Sequence, residues 1–131
     1  MTRRDITAGA RFDDGIARSA YFIDIHDPTG PGGLHSVGGV VRSGFEVSRY
    51  YEIPYRSLVA HGLGNVLVAC RAISTDHFAH AATRVIATVM SVGEAAGLGI
   101  ATAKKRGIQA ADVNGAEVRS QVGYLDAPLA F

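Results

Sequence analysis

Three places in this 131-residue chain concentrate side chains capable of chemistry. In the first, Asp24, His26 and Asp27 precede His35, so carboxylates and imidazoles share one short segment. On an extended strand Asp24 and His26 would point to the same face, as two metal ligands must. In the second, His77 and His80 stand three apart and would share the face of a helix. Neither set has zinc-ligand spacing or a clear third and fourth partner. Both read as polar residues at a strand end and in a loop, and no metal is expected. In the third place, Cys70 and Arg71 end the apolar run Val66-Leu67-Val68-Ala69, ahead of small residues and a long helical pattern. A buried strand feeding a small-residue loop and a helix N-terminus makes a site for an anion or an electron-rich dipole. Cys70 itself reads as a small buried hydrophobe. A reactive thiolate would need a neighbouring cation, which Arg71 offers, or a helix N-terminus.

Elements that must hold these residues follow from pattern. Phe12, Ile16 and Ala20 recur at four-residue spacing, which predicts a short helix over 9–20. Tyr21–Ile25 is aromatic and β-branched and predicts a strand, ended by the proline- and glycine-rich loop 27–33. Residues 45–53 alternate as a half-buried antiparallel strand does, with Pro54 closing it or marking an edge. Gly62–Asn65 is a turn, and the run 66–70 suits a strand covered on both faces in a parallel sheet.

The strongest element comes next. From about Arg84 to Arg106, Val85, Val89, Val92, Ala96, Ile100 and Ala103 recur at three or four, predicting a helix about 34 Å long. Lys104, Lys105 and Arg106 suit its negative end, and Gly107 suits the left-handed position beyond it. Gly93, Gly97 and Gly99 each cost roughly 1 kcal/mol against alanine there, so a close backbone approach is expected. For Gly97 and Gly99 that approach is tight helix–sheet packing. A last short helix starts at Asn114, with Glu117 reaching back to complete the cap.

Composition bounds the rest. Hydrophobic residues make up 47% and charged residues 19%, which excludes wholesale disorder. Thirteen basic against twelve acidic side chains leave a net charge of +1, too little for a dedicated nucleic-acid binder. One cysteine forms no internal disulfide, no run of eighteen apolar residues suggests a membrane span, and no secretory signal is read at the start. The expectation is one compact cytoplasmic unit.

Phosphate loops, a dinucleotide GxGxxG between strand and helix, and a GxSxG elbow are all absent from the 131 residues. Four segments in order carry more information: YEIPYRSL at 51–58, GNVLVACRAIS at 64–74, TRV at 83–85 and MSVGEAAG at 90–97. Together they resemble the C-terminal part of FAD-dependent oxidoreductases with the pattern "YxIPYRSL … NLLVAGRxIS … RVxxTxMxxGxAAG". Phe22–Pro28 resembles a segment upstream in the same family, so the likeness runs over most of residues 12–124.

That resemblance implies an α/β fold: part of a Rossmann-like FAD-binding domain over 61–131 and a remnant of an antiparallel substrate domain over 1–60. FAD is the implied cofactor. Arg71, Ala72, Ser74, Arg84 and Val85 would line it, and His26, Tyr55 and Arg56 would lie nearer the substrate. For Arg56 and Arg71 an ion pair with Asp24, Glu52 or Asp76 stands as an equal alternative. Cys70 occupies the position where the family has glycine, and the unit that grips the ADP half is missing. The chain therefore reads as the C-terminal segment or subunit of a flavoenzyme, inactive alone and associating with itself or a partner that brings the ADP-binding half. Competing readings are a flavin-free oligomerising module and a small metal enzyme built on Asp24, His26 and His35. The substrate is not legible, and any covalent flavin link would fall to Cys70 or His77.

Overall fold

In the computed structural model of this chain, the described residues are 1–25 and 50–125. They form a mixed α/β unit: α1 (Arg3–Ala8), β1 (Gly15–Ser19), β2 (Tyr51–Pro54), α2 (His77–Thr83), α3 (Ile86–Arg106) and α4 (Gly115–Gln121). Short 3-10 turns occupy Tyr55–Leu58 and Ala110–Asp112.

The segment 9–20 does not form the expected helix: residues 10–14 are turn and irregular backbone, and Gly15–Ser19 is the strand β1. Phe12, Ile16 and Ala20 are all even-numbered, so their spacing fits one face of a strand as well as one face of a helix. Gly9 settles the matter locally, because its φ of 60° ends α1 in the left-handed conformation. The helix that does form, α1, starts where the Thr2 amide donates to Asp5 Oδ2 at 2.8 Å. β1 then pairs antiparallel with β2, Ser19 opposite Tyr51 and Arg18 opposite Glu52, with an irregularity between Gly15 and Ala17.

Of the expected strand 45–53, residues 45–49 lie outside the described residues, and Tyr51–Pro54 is buried throughout. Pro54 closes it opposite Gly15. Tyr21–Ile25, expected as a strand, has no regular structure.

Residues 66–70 do not form the expected doubly covered parallel strand. A single antiparallel bridge joins Leu67 to Val59, and the Val68 amide donates to Leu58 O at 2.7 Å. Val66, Ala69 and Cys70 are exposed. A strand buried on both faces needs neighbouring strands and covering helices, and the described residues supply neither on its far side.

α3 matches its sequence prediction in extent and in its stop. Gly107 adopts φ 67°, and the Ile108 amide reaches Ala103 O at 3.1 Å. Its packed face is rotated from the one expected. Thr88, Val92, Ala95, Ala96, Gly99, Thr102 and Ala103 are buried, whereas Ile100 is 44% exposed. Ile86, Met90 and Ile100 form an exposed apolar face. Gly93 and Gly97 belong to the same open side, since a Cβ at either would meet nothing within 4 Å. Gly97 thus departs from the tight packing expected of it, and Gly99 fulfils it: a Cβ there would lie 2.6 Å from Tyr55 Oη. By length and composition α3 is the one described helix able to cross a bilayer, but its packed face makes it a core helix of this fold.

The main core gathers Ile16, Ile53, Tyr55 and Leu58 with Val92, Val118, Val122 and Leu125, while a second cluster joins Ile6, Ile23 and Tyr51 to Ala79 and Ala82. Asn114 caps α4 as predicted, accepting from the Ala116 amide at 3.0 Å. Glu117 turns away from that cap and pairs with Arg106 at 2.9 Å.

Pattern reading missed a buried ion network beneath β1. Glu52, 2% exposed, receives both arms of Arg119 at 3.0 and 3.1 Å. It also accepts from the Phe12 amide at 3.1 Å and faces Arg18 at 3.7 Å. Arg119 donates further to Gly15 O at 2.9 Å. Gly15 is required by this arrangement, because a Cβ would collide with the Glu52 carboxylate and the Arg119 guanidinium.

Candidate functional site

The candidate site lies where α2 gives way to α3. Thr83 ends α2, Arg84 keeps helical angles, and Val85, with ψ 148°, turns the chain before α3 begins. Val85 carries no side-chain acceptor for the first α3 amides. No backbone bond joins the amides of Ile86, Ala87 or Thr88 to the carbonyls of Ala82, Thr83 or Arg84. The unsatisfied N–H groups and the positive end of a 21-residue helix favour an electron-rich partner. Beside them is an open cleft of about 410 Å³, walled by Arg18, Ser19 and Tyr21 on one side and Val85, Thr88 and Ser91 on the other. The walls are joined by the Thr88 hydroxyl, which donates to Ser19 Oγ at 3.0 Å.

The expected cofactor residues divide between the two ends of α2. Arg84 and Val85 are at its C-terminal end, next to the cleft. The exposed Arg84 guanidinium donates to Asp24 O at 3.2 Å and faces the Asp24 carboxylate at 3.6 Å. Arg71, Ala72 and Ser74 precede the N-terminal end, about 10 Å away along a seven-residue helix axis. All three are exposed, and among the described residues Arg71 has no ion pair. The Ser74 amide donates to Ser57 O at 2.8 Å, and Ser74 O accepts from the Met1 ammonium at 2.9 Å.

On the expected substrate side, Tyr55 is buried to 2% and its hydroxyl donates to Ala110 O at 2.9 Å. Arg56 is exposed and ion-paired, with Asp14 rather than Asp24, Glu52 or Asp76, and its guanidinium covers the Phe12 ring at 4.8 Å. His26 and His35 lie outside the described residues, and no group of three metal-binding side chains occurs among the described ones. Cys70 is corrected from buried hydrophobe to exposed free thiol, its Sγ accepting from the Ala72 amide at 3.4 Å. Its exposure follows from the missing strand neighbours. Arg18, Ser19, Thr88 and Ser91 were not legible as site residues. They reach the cleft only once β1 is extended, which the helical reading of 9–20 concealed.

The loop carrying Arg71–Ser74 is anchored by Asp76. Asp76 Oδ1 accepts from the Ala79 amide and Oδ2 from the Arg3 amide, both at 2.7 Å, so one carboxylate caps α2 and serves the start of α1. Burial opposes the charge, but the backbone donors of Ala79, Arg3 and Phe78 and the N-terminal ammonium outweigh it and lower the pKa from 3.8. A lowered folded value means stability fully present above the unfolded value and lost as pH falls through the folded one. Asp76→Asn should flatten the acid limb of a melting-temperature profile as pH falls below about 4. Asp76→Ala should cost about 1 kcal/mol at neutral pH, as lost N-caps do. An acid limb unchanged in Asp76→Asn would contradict this.

In this mixed α/β unit the long helix starts uncapped beside a cleft, and a helix N-terminus favours an anion or an electron-rich group. The chain belongs to the FAD dependent oxidoreductase family, whose model matches residues 1–122. No curated protein and no solved structure matches it. The donors near the cleft, the first-turn amides of α3 and the Arg84 guanidinium, are of a kind that suits the electron-rich pyrimidine edge of a flavin. For the pyrophosphate and adenosine, the sequence offers no glycine-rich strand–helix loop.

Proposed function

We propose that this chain supplies the flavin-facing part of a FAD-dependent oxidoreductase and works with a dinucleotide-binding half that holds the ADP portion. The observation that carries the reading is the family match over residues 1–122 in a chain without a GxGxxG motif. In this reading 61–131 completes a Rossmann-like FAD domain and 1–60 belongs to the substrate domain. Arg84, Val85 and the first α3 amides face the flavin, with Arg71, Ala72 and Ser74 along its approach. Arg56 and His26 face the substrate side, and Tyr55 acts from within the core by holding α3. When bound, FAD would accept a hydride and the negative charge that accompanies it. The chain's own contribution is electrostatic, since fixed N–H groups stabilise that charge without reorganising. The exposed Ile86, Met90 and Ile100 face of α3, with its open glycines, is where the second half would dock.

A second reading, a flavin-free oligomerising module, draws on that same apolar face. Titration of the purified chain with FAD, riboflavin and ADP separates the two. The flavin-facing reading expects weak, saturable perturbation of the flavin absorption bands, similar for FAD and riboflavin, with no competition from ADP. A well-behaved oligomer that perturbs neither flavin would sink it.

A further inference from the structure

From His77 to Val92 the sequence contains neither glycine nor proline, yet the helix breaks at Val85. If α2 continued into α3, the Ile86 amide would donate to Ala82 O, four residues back. The buried Tyr51 hydroxyl donates to that carbonyl at 2.9 Å and so ties the end of α2 to β2, with Tyr21 O as a further acceptor at 3.2 Å. Ser19, opposite Tyr51 across the sheet, accepts from Thr88 at 3.0 Å and from the Tyr21 amide at 3.2 Å. Two buried hydroxyls therefore tether the joint to paired strand positions: Thr88 holds the first turn of α3 to Ser19 on β1, and Tyr51 on β2 holds the end of α2. Arg84 is drawn aside at the same joint by Asp24.

We infer that these two tethers, Tyr51 to Ala82 O and Thr88 to Ser19, are a conformational device that keeps α2 and α3 from fusing into one helix, so that the amides of Ile86, Ala87 and Thr88 stay free at the cleft. Tyr51 pins the Ala82 peptide to the sheet, and Thr88 holds the start of α3 against β1 instead of stacked on α2. The inference concerns the joint alone and does not depend on flavin binding.

The test is amide hydrogen exchange in Tyr51→Phe, which keeps the ring and removes the hydroxyl. Exchange of the Ile86, Ala87 and Thr88 amides should slow by about fivefold or more, the protection one gained backbone hydrogen bond confers. Helical circular dichroism should rise with it. Unchanged or faster exchange at these amides in a folded variant would overturn the inference. Should the phenylalanine variant fail to fold, Thr88→Val, which removes the other tether, is read by the same criterion. Thr88→Ser keeps the hydroxyl and should exchange like the natural chain.

Discussion

Arg119→Ala lowers the unfolding free energy by about 3 kcal/mol, the lower end of what breaking a buried ion pair costs. The lower end applies because Arg119 is 24% exposed, while Glu52 at 2% cannot recover water when its partner leaves. Arg18 at 3.7 Å and the Phe12 amide then hold the carboxylate without the two-armed bond that matched it. Gly15 O also loses its donor. Because the penalty is one stranded charge, replacing Glu52 and Arg119 together by apolar residues of similar volume should restore most of the stability. Urea unfolding followed by far-ultraviolet circular dichroism measures both variants. Equal losses for the single and double replacements would show that shape, not charge, holds α4 against the sheet. By contrast, Glu117→Gln, at the exposed pair with Arg106, should change stability by no more than about 0.5 kcal/mol.

This network also shows where sequence reading stops. α3 was legible because everything that specifies it is local: apolar recurrence, a basic last turn and Gly107. β1 was not, because Phe12, Ile16 and Ala20 satisfy both periods. Only the long-range pairing with Tyr51–Pro54 and the space needed by Glu52 and Arg119 select the strand. Residues 66–70 look like a buried strand because their composition answers to neighbours, and the described residues contain no such neighbours. Of the candidate site, Arg84 and Val85 could be placed beside a helix start from motif order. The cleft itself depends on Arg18 and Ser19 reaching α3 across sixty-nine positions of sequence, as the Ser19–Thr88 bond does, and no local pattern encodes that.

Tyr55→Ala should cost about 3–5 kcal/mol, as removal of a fully buried aromatic ring does. The ring is enclosed by α3 and α4: a Cβ at Gly99 would lie 2.6 Å from Oη and 2.7 Å from Cε2, and one at Gly115 would lie 2.7 Å from Tyr55 Cβ. Its hydroxyl fixes the turn after α3 through Ala110 O. Gly99→Ala alone must overpack this contact, at about 1–3 kcal/mol, against a helix-propensity gain of about 1 kcal/mol. In the Tyr55→Ala background the obstruction is gone, so the same Gly99→Ala change should become stabilising. That reversal of sign in thermal or urea unfolding is the decisive reading, and a penalty of equal size in both backgrounds would refute the contact. Gly97→Ala provides the contrast, since nothing lies within 4 Å of its Cβ position and about 1 kcal/mol of propensity should be gained outright. A helix that keeps a glycine where alanine would be more stable, on the same open side as Ile86, Met90 and Ile100, is not optimised for the chain standing alone. The Gly97→Ala chain should therefore melt higher and yet assemble less well with a dinucleotide-binding half, if close approach of that half is what the open face serves.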